Sequence, residues 1–193
     1  AGCPLSVEMP EEDWPLIPDM KRLSDFVHEK LKSGDPKKPN KFDDLLCELE
    51  LSEKKIDNLE DVLSFIRALK SVAHGGVVRG FKEEDLNKLE TDICGIIVQK
   101  IKTSLPNKET PYHKLSKWIN SIDRDSAIEI FTTNYDLLME QALEEIGVPY
   151  FDGFVGSRQS FFDLRSVEDN LIPRHWTRLW KIHGSINWYQ KKR

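Results

Sequence analysis

Two short apolar runs, each ending in a polar cluster, constrain this chain most. The first, Ala127-Ile128-Glu129-Ile130-Phe131-Thr132-Thr133, is β-branched and nearly uncharged. That composition predicts a strand buried on both faces. It runs into Asn134-Tyr135-Asp136, after which Leu137 to Ile146 has helical periodicity closed by Gly147. Val148-Pro149-Tyr150-Phe151 begins another extended piece. Further on, Leu179-Trp180-Lys181-Ile182 reads as a strand ended by His183-Gly184-Ser185, and Ile186-Asn187-Trp188-Tyr189 continues it. Strand, helix, strand in this order predicts parallel pairing with a right-handed crossover, hence an α/β sheet.

The chain before this sheet has a different texture. Residues 1 to 18 are Pro-rich (Pro4, Pro10, Pro15, Pro18) and read as an ordered loop. From 19 to 122 the pattern is helical. Met20, Leu23, Phe26, Val27 and Leu31 make one stripe, ended by Ser33-Gly34-Asp35-Pro36. Asn40, with Asp43 in support, and Asn58 suit the caps of two further helices. His74 to Gly80 is a glycine-rich break before a long helix from Glu83 through Ile101. Thr110-Pro111 places a cap residue before a proline at the first helical position. So many helices ahead of the first strand predict an inserted helical subdomain or lid, with residues 123 to 193 as a partial sheet core. Ala1-Gly2-Cys3-Pro4-Leu5 reads as a loop already in progress, and the far end stops just after Trp188-Tyr189, so the sheet is expected to be incomplete at both ends.

Composition narrows the function. The net charge of -5 argues against direct nucleic-acid binding, which needs a concentrated excess of Lys and Arg. No apolar run approaches a membrane span. Cys3, Cys47 and Cys94 are odd in number and lack CxxC spacing, which predicts reduced thiols in a cytoplasmic protein and no structural metal site.

In open α/β sheets, ligands bind beyond the carboxyl ends of the strands. Two polar clusters fall there: Thr132-Thr133-Asn134-Tyr135-Asp136 and His183-Gly184-Ser185. If the strands are neighbours or one apart, Asn134 and His183 face a common crevice. The same residues also suit structural work. Asn134 or Asp136 can cap the following helix, and a His after a strand is often a satisfied imidazole. His28, His74, His113 and His175 read as structural.

The two clusters resemble the sirtuin family. Thr132-Thr133-Asn134-Tyr135-Asp136 is similar to its Thr-Gln-Asn-x-Asp motif, with Thr133 in place of Gln, and Lys181-Ile182-His183-Gly184-Ser185 is similar to its strand ending in His-Gly-Ser. The extension Ile186-Asn187-Trp188 resembles divergent sirtuin-like domains of bacterial antiphage defence, which cleave NAD rather than remove acyl groups from lysine. The opening Ala1-Gly2-Cys3-Pro4-Leu5 is similar to the segment just after the family's first glycine-rich loop.

The resemblance implies a Rossmann-like sheet, NAD as substrate and no metal, because the family's zinc-binding CxxC pairs have no counterpart here. It implies Asn134 and His183 as the catalytic pair: Asn134 holding water and a ribose hydroxyl, His183 acting as general base. Asp136 would hold the nicotinamide carboxamide or orient its neighbours, and Thr132, Thr133, Gly184 and Ser185 would shape the pocket. Partners implied are NAD and a second copy or another subunit of a defence complex. An NAD-dependent protein deacylase and a non-catalytic nucleotide sensor or scaffold are the alternatives. Phe151, Phe154, Phe161, Phe162 and Trp176, interleaved with Arg158, Arg165 and Arg174, read either as a surface loop with aromatic anchors or as a mobile lid over nicotinamide.

Overall fold

A computed structural model describes residues 3–32, 39–51, 58–73 and 75–188. The chain divides into two units, Pro18–Ile101 and the combination of Ala1–Ile17 with Lys102–Arg193, so the first is inserted between two pieces of the second.

The inserted unit holds α1 (Met20–Leu31), α2 (Lys41–Leu51), α3 (Leu59–Ala73) and α4 (Glu83–Ile101). Asp19, not singled out in the sequence, caps α1: its Oδ1 accepts from Arg22 N–H at 2.8 Å. The expected caps at Asn40 and Asn58 are present. Asn40 Oδ1 accepts from Asp43 N–H at 3.1 Å while Asp43 Oδ2 accepts from Asn40 N–H at 2.9 Å, a reciprocal cap. Asn58 Oδ1 accepts from the N–H groups of Glu60 and Asp61. The apolar stripes meet in one core that includes Val27, Phe42, Leu45, Ile66, Leu86 and Ile93. Where a glycine-rich break was expected, β1 (Val77–Val78) and β2 (Phe81–Lys82) form a small antiparallel hairpin. His74 and the stop at residues 33–36 lie outside the described residues.

The other unit is α/β. Its helices are α5 (Pro111–Ser121), α6 (Leu138–Ile146) and the short α7 (Leu164–Glu168). Its strands are β3 (Glu129–Thr132), β4 (Tyr150–Phe151), β5 (Phe154–Val155), β6 (Phe161–Phe162) and β7 (Thr177–Lys181). β7 is central in a parallel sheet of order β3-β7-β4. Consecutive strands β3 and β4 thus flank the strand that comes last, the parallel arrangement the strand-helix-strand order predicts. The helical pattern over 19–122 divides between the units: α1 to α4 stand together, whereas α5 packs with α6 beside the sheet.

Two expectations are corrected. β3 is not buried on both faces; Glu129 and Phe131 are exposed, Phe131 at 63%, while Ile130 and Thr132 are half-buried. A strand covered on both sides would bury both alternations. Only the face carrying Thr177, Leu179 and Lys181 is fully buried on β7. Nor does β7 resume beyond the His-Gly-Ser cluster. Gly184 N–H returns to the Lys181 carbonyl at 3.2 Å and Trp188 N–H to the Ser185 carbonyl at 3.1 Å, so two turns replace the strand. Tyr189 lies outside the described residues.

Among the described residues no helix is long and apolar enough to cross a membrane, and no group of three or more His, Cys, Asp or Glu side chains is placed to hold a metal ion. Cys3, Cys47 and Cys94 carry free thiols.

Candidate functional site

The site is built on the register of β3 against β7. Thr132 pairs with Lys181, and Ile182 N–H donates to the Thr132 carbonyl at 2.9 Å. Asn134 and His183 each follow two residues past this pair, so both strand exits open at one level of the sheet. The Thr132 hydroxyl accepts from Asn134 N–H at 3.1 Å and turns the chain out of the strand. Three residues on, the Tyr135 carbonyl accepts from Ile186 N–H at 3.0 Å, and the Tyr135 and His183 rings stand 6.4 Å apart. The two motif loops are therefore tied to each other at both ends. Gly184 adopts φ +100°, the left-handed region glycine favours, and reverses the chain directly after His183.

The predicted residues differ in what they present. His183 and Thr133 are exposed, and Asn134, Thr132, Gly184 and Ser185 are half-buried. Ser185 Oγ and Trp188 Nε1 are buried and, among the described residues, meet no hydrogen-bond partner. Asp136 is buried, and its Oδ1 accepts at 3.0 Å from the N–H of Leu138, the first residue of α6, so its carboxylate holds the turn that enters the helix, close to the capping use the residues left open.

Beneath the loops lies a network the sequence reading did not single out. Lys181, on the buried face of β7, donates to the Asp136 carbonyl and to Glu140 Oε1 at 2.6 Å. Its side chain is 1% exposed and that of Glu140 8%. Burial pushes the Glu140 carboxyl up, against the pull of Lys181, and Glu140 Oε2 has no partner among the described residues. Tyr112, from α5, completes the cluster. Burial raises its phenol far above the ordinary value, and the Asp136 carboxylate, the Cys3 thiol and Glu140 add to the effect. Cys3 near Tyr112 brings the N-terminal segment to this end of the sheet. A signal existed: a lysine at the end of an otherwise apolar strand has to be paired if that strand is buried.

The aromatic stretch after β4 contains a short hairpin. β5 and β6 form an antiparallel hairpin, with the Phe154 ring 5.5 Å from Phe162 and 5.1 Å from Trp188. The hairpin is thereby stacked on the segment that follows His183. Phe161 and Phe162 remain exposed at 60% and 47%.

Two other histidines, His28 and His113, serve structure. His28 packs edge-on against Phe42, and burial lowers its pKa. His113 is the N3 residue of the α5 cap. Its Nδ1 accepts from Thr110 N–H at 3.1 Å and its Nε2 meets Glu145 Oε2 at 2.6 Å. A depression of about 510 Å³ beside it, lined by Pro106, Lys108, Lys117 and Glu145 among others, includes none of the strand-exit residues. It lies at the far end of α6 from the two motifs. We take the strand exits as the candidate site, because the register brings both motif loops to one level of the sheet there, whereas the depression offers ion pairs already satisfied, such as Lys117 with Glu109 at 2.6 Å.

Both motif loops fall within a stretch that resembles a known family. A family model described as SIR2-like domain matches residues 128–192, from the start of β3 past the His-Gly-Ser cluster. The chain thus carries a sirtuin-like region, which ties this part of the molecule to NAD in general. No curated protein matches the chain.

Proposed function

We propose that the α/β unit hydrolyses NAD at the bond between nicotinamide and ribose, as the effector part of a bacterial defence protein. The reading is carried by the register of β3 on β7, in which positions 134 and 183 stand the same two steps past the register pair Thr132 and Lys181, within the stretch matched by the SIR2-like model.

In this reading, water adds to the anomeric carbon of the ribose and the glycosidic carbon–nitrogen bond breaks. The bonding pair leaves with nicotinamide, which departs neutral from a cationic ring, so no strong acid is required. The demand is to stabilise positive charge growing on the sugar, as in other glycoside cleavages. Asn134 has an amide that donates and accepts, and it orients the water and a ribose hydroxyl. His183 takes the proton of the attacking water. Gly184 lets the backbone approach the substrate closely. Thr132, Thr133 and Ser185 line the pocket, and the buried, unpartnered Ser185 hydroxyl supports a ligand there. Asp136 acts by fixing the turn that carries Asn134. Three free thiols suit a reducing cytoplasm, and a second copy or another subunit supplies control.

Incubating the full-length protein with NAD alone, and with its trigger supplied, tests the proposal. Nicotinamide release without any acylated peptide is the expected result. Release that requires an acylated lysine peptide would make the site a deacylase, and bound but uncleaved NAD would make it a sensor.

A further inference from the structure

A buried lysine two residues ahead of the proposed base has no part in the chemistry just described. Lys181 has three donors on a side chain that is only 1% exposed. Two go to groups on the other motif's side: the Asp136 carbonyl, where the Asn134 turn ends, and Glu140 on α6. Backbone bonds already tie the loops at Thr132 with Ile182 and at Tyr135 with Ile186. The ammonium adds a tie below them, from the strand that delivers His183 to the turn that delivers Asn134.

Stability alone does not account for such a pair. Burying two charges costs much of what their attraction returns, and apolar residues of similar volume commonly hold a core as well or better. Glu140 shows the cost, with one oxygen unpartnered and its carboxyl pushed up by burial. What an apolar pair cannot do is hold a backbone carbonyl. That carbonyl ends the turn whose first polar side chain is Asn134.

We propose that Lys181 is a positioning residue, holding the Asn134 turn in register with His183 through the Asp136 carbonyl. The proposal rests on the NAD-hydrolysis reading for its effect on rate, though not for its effect on the turn. Reactive groups displaced by about 1 Å lose on the order of a hundredfold in rate.

The test uses the full-length protein. Lys181→Ala alone leaves Glu140 buried and unpaired and can fail to fold, so the informative variant is Lys181→Met with Glu140→Leu. The expected results are an unchanged or raised melting temperature, kcat for nicotinamide release down about a hundredfold, an unchanged KM for NAD, and faster amide exchange over residues 133–137 without NAD. Glu140→Gln, which keeps the lysine and its bond to the Asp136 carbonyl, is expected to retain most of kcat. Wild-type kcat in the stable double variant would overturn the proposal, since a merely structural lysine is fully replaced by an apolar pair. So would unchanged exchange over 133–137, or a loss in Glu140→Gln as large as in the double variant. If the wild-type protein releases no nicotinamide, the NAD reading fails, and the exchange measurement still decides whether Lys181 holds the turn.

Discussion

Replacing His183 by alanine separates chemistry from stability more cleanly than any other change in this molecule. The side chain is exposed, and the Tyr135 ring stands beside it at a centroid distance of 6.4 Å. Ring pairs of this kind contribute about 0.5–1.5 kcal/mol at most, and 6.4 Å is near the outer end of their range. Loss of the imidazole should therefore cost no more than about 1.5 kcal/mol, or roughly 3–6 °C in melting temperature for a chain of this size. A positioned general base, by contrast, contributes about a hundredfold to ten-thousandfold in rate. At about 1.36 kcal/mol per tenfold, this is roughly 2.7–5.4 kcal/mol of barrier. The activity loss must exceed the stability loss by a wide margin. Calorimetry on His183→Ala, paired with chromatographic measurement of nicotinamide released from NAD, gives both quantities. Turnover within about threefold of wild type in the folded variant would refute the assignment, because no general base is that dispensable.

Caps, glycines and one ion-pair cluster give four further expected outcomes. Thr110→Ala removes the side-chain cap of α5 and the hydroxyl 2.8 Å from His113 Nδ1, and should destabilise by about 1–2 kcal/mol. An unchanged melting temperature would sink that account. Gly147→Ala places a side chain at φ +77° with open space around it, so its cost is conformational only, about 1 kcal/mol by thermal melting. Gly153→Ala combines φ +96° with a Cβ 2.4 Å from Phe162 Cε2, so the β5–β6 hairpin should open and its tip be cleaved faster in limited proteolysis. Equal cleavage of variant and wild type would contradict it. In the inserted unit, burial raises the Glu90 carboxyl, but Lys70 at 2.6 Å and Arg67 at 2.8 Å outweigh it and hold it below the ordinary 4.5. A carboxyl lowered in the folded state stabilises above its unfolded value and loses that contribution as pH falls through its folded one. Acid unfolding below about pH 4.5 should therefore be shallower in Glu90→Gln than in wild type.

Local signals carried much of the fold. Asn40, Asn58, Thr110 and Gly147 were readable because a cap is set by residues within three or four positions of it. The parallel sheet was readable because strand-helix-strand leaves few topologies. What misled was the apolar character of residues 127 to 133. β-branched residues mark a strand but do not say how many of its faces are covered, and Phe131 stands exposed. Likewise Ile186-Asn187-Trp188 has the composition of a strand, yet the chain turns at Gly184 and again at Ser185.

The site divides along the same line. Asn134 and His183 were visible as strand-exit residues, and their common level follows from the pairing of Thr132 with Lys181. The use of Asp136 was not visible, since capping and ligand contact ask for the same carboxylate and only its burial against α6 separates them. Lys181 and Glu140 were less visible still, because their meaning depends on contacts 41 and 45 residues apart. Read alone, a lysine in Leu179-Trp180-Lys181-Ile182 looks like a charge at a strand end, and a glutamate at 140 looks like a solvated helix face. Spacing offered a clue, as Glu140 and Leu143 stand three residues apart, are both buried and so share the inward side of α6. A charge on that stripe needs a partner from the sheet, and β7 holds one lysine facing the same way. The two oddities explain each other only when considered together, which is why the tie between the motifs emerges from packing rather than from either motif.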